Sequence, residues 1–344
     1  MNTYNRLIIK YYNIYSKEAQ GLVEKDLPRE FPFQRLPQQY KDGLRKEVWD
    51  FSQNSAGVSV SFTTDSPELQ VKWSVMNDLR MNHMTDVGIK GIDIYWKRNG
   101  AWHYLSTGIP TGKDNEQFLF RELSKQSREY RLHLPLYDTV ISLNIGIDDL
   151  SRFEIIKNKN KPIIFYGTSI TQGGCASRPG IAYTNIISRS LGIECINLGF
   201  SGNGHLEMAV ASIISGSKAK LYVIECMANV DLDMIRKNTM PLIECIRSNK
   251  SSQTQHIVFC EEAINDKWHP DKASIESKNR KNIELHKQVN DAKIKGYDNL
   301  HVISQIGLID EDTEATVDGV HYNDLGFERH AKHLIRSLQE LGLL

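Results

Sequence analysis

The sequence predicts an antiparallel β-sandwich followed by an α/β module built on a mostly parallel sheet. Two patterns indicate this arrangement. Apolar and polar residues alternate in several short segments of the first 150 residues, whereas from Ile163 onward short apolar segments alternate with helical patterns. A chain of 344 residues is also long enough for about two domains. We therefore expect domains at residues 1–155 and 161–344.

Period-two alternation is typical of strands that bury one face, and it defines the predicted strands of the first module. Turn-forming residues separate the segments, and Asn99-Gly100 predicts a hairpin between two of them. Because no long helical pattern interrupts the series, we expect a jelly-roll-like sandwich. The alternating positions are Val58, Val60 and Phe62; Leu69, Val71, Trp73 and Val75; Ile92 and Ile94; Leu132, Leu134 and Leu136; and Ile141, Leu143, Ile145 and Ile147.

The second module alternates five apolar segments with five helical ones. Short apolar strands of this kind are buried on both faces, and functional side chains are expected just beyond their carboxyl ends. The predicted strands are Ile163–Tyr166, Cys195–Leu198, Leu221–Cys226, His256–Cys260 and Leu300–Ser304. The predicted helices are Tyr183–Leu191, His205–Ser215, Leu232–Ile246 with Pro241 distorting it, Ser274–Lys295 and Asp324–Leu341.

Charge and hydropathy exclude several classes of protein. The 42 basic and 42 acidic residues give no net positive field, so we expect no nucleic-acid partner. No segment has the roughly 18 uninterrupted apolar residues of a membrane span. The first 20 residues lack the apolar core of a signal peptide, which predicts a cytoplasmic protein as written. A trimmed mature form would instead be periplasmic or secreted.

The five cysteines, all in the second half of the chain, show no C-x-x-C spacing. An odd number without that spacing predicts reduced, mostly buried thiols rather than a disulfide framework or a zinc site.

The first strand of the second module runs into Gly167-Thr168-Ser169-Ile170-Thr171-Gln172-Gly173-Gly174. This segment fits neither the P-loop nor the G-x-G-x-x-G spacing, which argues against nucleotide binding. Ser169 is therefore a candidate nucleophile, although a serine after a strand is also a common helix cap.

The ends of three later strands supply groups that could bind an oxyanion or activate Ser169. Gly202, within a glycine-rich loop, offers a backbone N–H, and Asn229 offers a side-chain amide that could donate to the same anion. Asp318 lies three residues before His321, so its carboxylate can fold back onto the imidazole and hold its tautomer. A serine hydroxyl needs such a base, and acyl transfer needs donors to a developing oxyanion.

In this order, Ser169, Gly202, Asn229 and the Asp318/His321 pair resemble the four blocks of the SGNH hydrolase, or GDSL-like esterase, superfamily. The resemblance covers Pro162 to the C-terminus. Two blocks depart from the common pattern: Gly-Thr-Ser-Ile replaces Gly-Asp-Ser-Leu, and Glu225 to Asn229 replaces Gly-x-Asn-Asp. In the first module, Gly91-Ile92-Asp93-Ile94-Tyr95 resembles the G-x-D-L-Y signature of a β domain that precedes this type of esterase.

The resemblance implies a flavodoxin-like catalytic domain with no metal and no organic cofactor. It implies a triad of Ser169, Asp318 and His321, and an oxyanion hole made by the Ser169 amide, the Gly202 amide and the Asn229 side chain. The expected substrate is a small-molecule ester with a short acyl group, acetyl foremost, such as an acetylated saccharide. The alternatives are a lysophospholipase, thioesterase or acyltransferase, and an inactive carbohydrate-binding protein. The sequence assigns no oligomeric state.

Several other residues could be mistaken for catalytic or binding residues, but the sequence favours structural roles for them. We expect His205 to begin a helix at the rim, Cys226 to be a buried thiol, and Glu261 and Glu262 to point apart, which disfavours glycosidase chemistry. The aromatic residues Trp96, Trp102 and Tyr104 predict a cross-strand cluster rather than a sugar platform. The segment from Glu262 to Lys281 either overhangs the site or leads into a helix.

Overall fold

A computed structural model describes residues 8–158, 160–264, 271–309 and 312–344. The sequence positions Trp268, His269 and Pro270, within the segment predicted to overhang the site or lead into a helix, lie outside the described residues. Among the described helices, none combines the length and the apolar character required to cross a bilayer.

The first module is an antiparallel β-sandwich, as predicted. One sheet has the strand order β1-β8-β3-β6 and the other β5-β4-β7-β2-β9. The strands are β1 (Ile9–Asn13), β2 (Ser59–Thr64), β3 (Leu69–Val75), β4 (Ile92–Arg98), β5 (Ala101–Gly108), β6 (Asp114–Phe120), β7 (Arg128–His133), β8 (Val140–Asp148) and β9 (Phe153–Ile155). Two short helices, α1 (Lys46–Ser52) and α2 (Asp86–Lys90), and two 3-10 turns, Ser16–Glu18 and Gln38–Gly43, lie between strands.

The alternating residues of β3 show how the sandwich forms. Leu69, Val71, Trp73 and Val75 are buried, while the residues between them are half-buried. Their side chains meet those of the opposite sheet, including Val60. Burial of one face of each sheet against the other removes apolar area from water, which is the main stabilisation available to such a module.

Some boundaries differ from the predicted ones. Strand β7 ends at His133, so Leu134 and Leu136 lie beyond it, although both remain buried. Strands β1, β6 and β9 were not predicted: β6 begins with polar residues, and β9 has only three residues. These strands form because neighbouring strands supply hydrogen-bond partners, which a local pattern does not reveal.

The second module is a five-stranded parallel sheet with the order β11-β10-β12-β13-β14, covered by helices on both faces. This is the flavodoxin-like strand order, as the resemblance implied. The strands are β10 (Ile163–Gly167), β11 (Cys195–Gly199), β12 (Leu221–Glu225), β13 (His256–Cys260) and β14 (Leu300–Ile303). The helices are α3 (Ser169–Gln172), α4 (Tyr183–Leu191), α5 (Met208–Gly216), α6 (Leu232–Ser248), α7 (Lys272–Ile294) and α8 (Asp324–Glu340), with 3-10 turns at Pro179–Ile181 and Met227–Asn229.

Two helix predictions need correction. Helix α5 begins at Met208, three residues after the predicted start at His205, and α6 contains Pro241 as predicted but ends at Ser248, two residues past the predicted Ile246. Asp231 caps α6 by accepting a hydrogen bond from the backbone N–H of Met234, which fixes the start of this helix.

Charged side chains join the two modules. Arg35, fully buried, donates hydrogen bonds to the backbone oxygens of Asn197 and Gly199, at 2.9 and 2.7 Å, on strand β11. Buried Asp93 on β4 accepts a hydrogen bond from Arg178, at 2.6 Å, in the loop that follows α3. Because a buried charge needs a partner, these contacts tie the first module to the sheet edge that carries the candidate site.

Candidate active site

Ser169 is the first residue of α3, the short helix that begins two residues after β10 ends. The Thr168 hydroxyl caps this helix by accepting from the backbone N–H of Ile170, at 3.3 Å. From the other module, the Tyr137 hydroxyl donates to the backbone oxygen of Ser169, at 3.3 Å. The serine side chain is therefore held on a fixed turn at the carboxyl end of the sheet.

Ser169, His321 and Asp318 form a continuous hydrogen-bonded chain. The Ser169 Oγ lies 2.9 Å from His321 Nε2, and His321 Nδ1 lies 2.7 Å from Asp318 Oδ2. The other carboxylate oxygen of Asp318 accepts from the backbone N–H groups of Val320 and His321, at 3.0 and 2.8 Å. The carboxylate thus fixes the imidazole tautomer that leaves Nε2 facing the serine.

The ionisation of Asp318 follows from the same contacts. Burial acts to raise its pKa, but the hydrogen bonds from His321 and from the backbone N–H groups outweigh burial and lower the pKa to about 2. The group is consequently a carboxylate at neutral pH, able to stabilise a positive charge on His321.

Three candidate oxyanion donors come from three strand ends: the backbone N–H groups of Ser169 and Gly202 and the side-chain amide of Asn229. Within the part of the chain that the structure describes, none of the three donates to a protein acceptor. Gly202 has a φ of +67°, in the left-handed region that glycine adopts readily.

Hydrogen bonds hold the loops of these donors together. The backbone N–H of Gly204 donates to Asn229 Oδ1, at 3.2 Å, and that of Ser201 donates to Gln172 Oε1, at 3.0 Å. At Gly199 the chain passes so close to α3 that an added Cβ would lie 2.1 Å from the backbone nitrogen of Gln172. Glycine is thus required where β11 approaches the helix that carries Ser169.

Glu225 forms a buried network beneath the site that the sequence did not predict. Its Oε2 accepts hydrogen bonds from Thr171, at 2.9 Å, and Tyr183, at 2.6 Å, and its Oε1 accepts one from Gln305, at 3.1 Å. His330 Nε2 lies 2.8 Å from Oε1, a close contact without directed hydrogen-bond geometry. Burial acts to raise the pKa of Glu225, but His330 and the hydrogen-bond donors lower it overall. The carboxylate therefore anchors α3 through Thr171.

His83, from the first module, also lies at the site, and the sequence did not predict this. Its ring centroid lies 5.4 Å from that of His321, and their nitrogen atoms and Cys175 Sγ lie within 4.8 Å of one another. Among the described residues, this is the group of three or more His, Cys, Asp or Glu side chains that could hold a metal ion. No motif surrounds His83, so only the docking of the two modules reveals this proximity.

A small cavity adjoins Ser169 and His321. It has a volume of about 120 Å³ and is lined by residues on both sides of Ser169 and by those next to His321. The remaining walls come from the segments that end or follow β12, β13 and β14 and from Lys278 on α7. Its main apolar lining residues are Ile170, Ala228, Ala263, Ile309, Val320 and Tyr322.

His205 and Cys226 were expected to have structural rather than catalytic roles. His205 is half-buried beside the glycine-rich loop, where its Nε2 lies 3.0 Å from the backbone oxygen of Gly202, but it precedes α5 rather than beginning it. Cys226 is buried, as predicted, and burial raises the pKa of its thiol. All five cysteines are free thiols, and four are buried.

Glu261 and Glu262 do not face a common site. Glu261 contacts His286, at 2.8 Å, whereas Glu262 pairs with Lys281. Their separate partners leave no pair of carboxylates to flank a glycosidic bond.

On the β4–β5 hairpin the predicted aromatic residues pair separately across the strands: Tyr104 packs edge to face on Tyr95, and Trp96 packs on His103. Arg131 lies 4.7 Å from the ring centroid of Trp102, and Arg178 lies 4.1 Å from that of Tyr104. Each of these cations covers one face of its ring, and that face is then not available to a sugar for stacking.

Comparison with known families covers nearly the whole chain. Residues 160–339 match the model of the GDSL-like Lipase/Acylhydrolase family. Residues 9–153 match the model named GxDLY, described as the N-terminus of Esterase_SGNH_hydro-type. Comparison with curated proteins found no match.

Several solved structures resemble the chain. A GDSL-like lipase from Bacteroides ovatus has 32% identity and a TM-score of 0.90, with 97% of this chain and 98% of that chain covered. The salicylyl-acyltransferase SsfX3 from a tetracycline biosynthetic pathway has 18% identity and a TM-score of 0.78, with 98% of both chains covered. The acetyl xylan esterase Est2A from Butyrivibrio proteoclasticus has 14% identity and a TM-score of 0.59, with 97% of this chain and 100% of that chain covered. The last two likenesses establish a shared fold.

Proposed function

We propose that this chain, which belongs to the GDSL-like Lipase/Acylhydrolase family, is a serine esterase. Its proposed reaction is the removal of short acyl groups, acetyl foremost, from neutral esters such as acetylated saccharides. Family membership makes the protein an esterase or acylhydrolase. The observation that carries the proposed mechanism is the hydrogen-bonded chain from Ser169 through His321 to Asp318, with distances of 2.9 and 2.7 Å.

In the proposed mechanism His321 Nε2 takes the proton of Ser169 as Oγ attacks the ester carbonyl carbon. Asp318 stabilises the imidazolium that forms. The Ser169 and Gly202 amides and the Asn229 side chain donate to the oxyanion, which is where most of the rate enhancement is expected to arise. Collapse of the intermediate expels the alcohol with the proton from His321, and water then hydrolyses the acyl-enzyme by the same steps.

The size of the cavity supports a short acyl group. An apolar cavity of about 150 Å³ in another protein accepts one benzene ring, and the cavity beside Ser169 measures only about 120 Å³. An acetyl group fits such a space, whereas the chain of a palmitoyl ester does not. We therefore assign the cavity to the acyl group.

The saccharide part of the proposal extends the substrate class of the acetyl xylan esterase to this chain. The support is the shared two-module fold, which spans 97% of this chain. The 42 basic and 42 acidic residues also suit a neutral substrate, which needs no electrostatic steering.

A fluorophosphonate probe and Ser169→Ala test the mechanism. We expect the probe to label Ser169 of the wild-type protein, and Ser169→Ala to lose both labelling and esterase activity by several orders of magnitude. Ser190→Ala, which changes an exposed serine on α4, is the matched control and should behave like the wild type. Wild-type activity in Ser169→Ala would refute the mechanism.

A substrate panel tests the specificity. It contains p-nitrophenyl esters from acetate to palmitate and acetylated xylo- and manno-oligosaccharides. We expect the highest kcat/KM for acetate and release of acetate from the oligosaccharides. A preference for palmitate without release from sugars would instead favour a lysophospholipase or thioesterase, and sugar binding without labelling of Ser169 would favour a binding protein.

A further inference from the structure

We infer that His83, Cys175 and His321 form a Zn²⁺ site, and that a metal ion bound there switches the esterase off. One ligand atom from each residue lies within 4.8 Å of the other two. Two imidazoles and a thiolate are ligands that zinc prefers, whereas Mg²⁺ and Ca²⁺ prefer oxygen.

The distances are close to those that zinc requires. With Zn–N of about 2.0–2.1 Å and Zn–S of about 2.3 Å, tetrahedral ligand atoms lie roughly 3.3–3.8 Å apart. A pair at the 4.8 Å limit therefore needs to close by about 1.0–1.5 Å, and a nearer pair by less. His83 is half-buried in a turn before α2, so rotation of its ring can supply this movement.

The Nδ1 atoms of both histidines have oxygen neighbours. His83 Nδ1 lies 3.0 Å from Asn82 Oδ1, and His321 Nδ1 lies 2.7 Å from Asp318 Oδ2. An oxygen partner on Nδ1 leaves the Nε2 lone pair for a metal, the arrangement that zinc-bound histidines usually show. The partners of the two rings are thus already in place.

Contacts that do not involve the three side chains hold their segments together. The backbone N–H of Cys175 donates to the backbone oxygen of Tyr322, at 3.0 Å, which places the thiol beside the His321 segment. The Thr85 hydroxyl donates to the backbone oxygen of Ser177, at 2.5 Å, which fixes the His83 turn to the Cys175 loop. The ligand set is therefore positioned by the fold.

Metal binding at His321 Nε2 uses the lone pair that would accept the proton of Ser169. Zinc forms bonds to two Nε2 atoms and to Cys175 Sγ, the thiol proton passes to water, and a water molecule takes the fourth position. Ser169 keeps its proton and its nucleophilicity is lost. This inhibitory step rests on the proposed role of His321 as the base, whereas metal binding itself does not.

Cobalt binding tests the site without reference to activity. We expect Co²⁺ added to chelator-treated protein to give a thiolate-to-cobalt charge-transfer band, which Zn²⁺ then abolishes by displacement. Cys175→Ser should remove the band, while Cys245→Ser, which changes a half-buried cysteine on α6, should keep it. Absence of the band from the wild-type protein, or its persistence in Cys175→Ser, would overturn the site.

Inhibition tests the switch. We expect Zn²⁺ to inhibit hydrolysis of p-nitrophenyl acetate, and EDTA to restore it. His83→Ala and Cys175→Ser should each raise the inhibition constant by about 10-fold or more, measured against the uninhibited rate of the same variant. His103→Ala, which removes an exposed histidine on β5, should leave the constant unchanged.

The two readouts separate the hypotheses. If the metal-free protein hydrolyses no ester, the proposed function fails, and the cobalt band still decides whether the site exists. If cobalt binds through Cys175 but Zn²⁺ does not inhibit, the switch is overturned. If inhibition is equal in the wild type, His83→Ala and Cys175→Ser, the inhibitory metal binds elsewhere and the inference is wrong.

Discussion

The backbone N–H of Gly204 donates a hydrogen bond to Oδ1 of Asn229, at 3.2 Å. Because this bond fixes which end of the amide faces the loop, Nδ2 is left to donate elsewhere. The relationship joins the loop after β11 to the turn after β12, and it gives Asn229 a defined orientation before any substrate binds. Preorganised donors of this kind stabilise an oxyanion without reorganisation in the reaction.

We predict that Asn229→Ala lowers kcat for p-nitrophenyl acetate by about 10²–10³, with a smaller effect on KM, because the lost bond forms mainly in the transition state. Asn229→Asp keeps an acceptor for Gly204 but has no donor, so it should be at least as impaired. Asn238→Ala removes an amide on α6 that donates to the backbone oxygen of His205, and serves as the control. An unchanged kcat in Asn229→Ala would exclude it from the oxyanion hole.

Asp318→Asn tests the partner of His321. The amide favours the wrong imidazole tautomer, so we predict a loss of about 10⁴ in kcat. The matched control is Asp312→Asn. Asp312 has a pKa likewise lowered to about 2, by its hydrogen bonds with Arg329 and the backbone N–H of Glu314. Comparable losses of activity in both variants would indicate a general effect of charge removal rather than a role for the pair.

The same carboxylate predicts a pH dependence of stability. Its pKa is lowered from 3.8 to about 2 in the folded protein, so its ionised form stabilises the fold above pH 4 and this contribution is lost as the pH falls toward 2. The difference in unfolding free energy between the wild type and Asp318→Asn should therefore not shrink from pH 7 to 5, and it should shrink below about pH 4. Urea titrations at several pH values measure it, and a difference that shrinks between pH 7 and 5 would contradict this assignment.

Glu225→Gln should destabilise the protein and disturb the nucleophile together. The amide nitrogen would face the hydroxyl groups of Thr171 and Tyr183 or the amide of Gln305, which donate to the carboxylate. Leaving a buried hydrogen-bonding group without its partner typically costs about 1–3 kcal/mol. Urea unfolding measures the loss, and the rate of fluorophosphonate labelling reports the position of Ser169. Unchanged labelling would show that Thr171 holds α3 without Glu225.

Parts of the molecule that depend on local pattern were predictable. Strand β13 has the predicted bounds, His256–Cys260, because an uninterrupted apolar run is typical of a strand buried on both faces. Ser169, Gly202, Asn229 and His321 each follow a parallel strand, so the rule that carboxyl ends of strands meet at one edge predicts where they lie.

Parts that depend on distant contacts were not predictable. Gln305 lies 80 positions from Glu225 in sequence, and no repeat or motif relates them. His83 approaches His321 only because the β-sandwich docks beside the sheet. Strand β6 begins with Asp114, Asn115 and Glu116, whose polarity hides a strand that pairing with β3 stabilises.

Ile309→Ala tests the assignment of the cavity to the acyl group. Ile309 is buried and lines the cavity, so its truncation adds volume there. We predict that the ratio of kcat/KM for p-nitrophenyl butyrate to that for acetate rises, while the free energy of unfolding falls by about 2–5 kcal/mol. Ile303→Ala, at a buried position on β14 outside the cavity lining, should cost similar stability without changing the ratio. Because both variants lose buried methylenes, an equal change in the ratio would mean that looser packing, and not the cavity, governs acyl-chain preference.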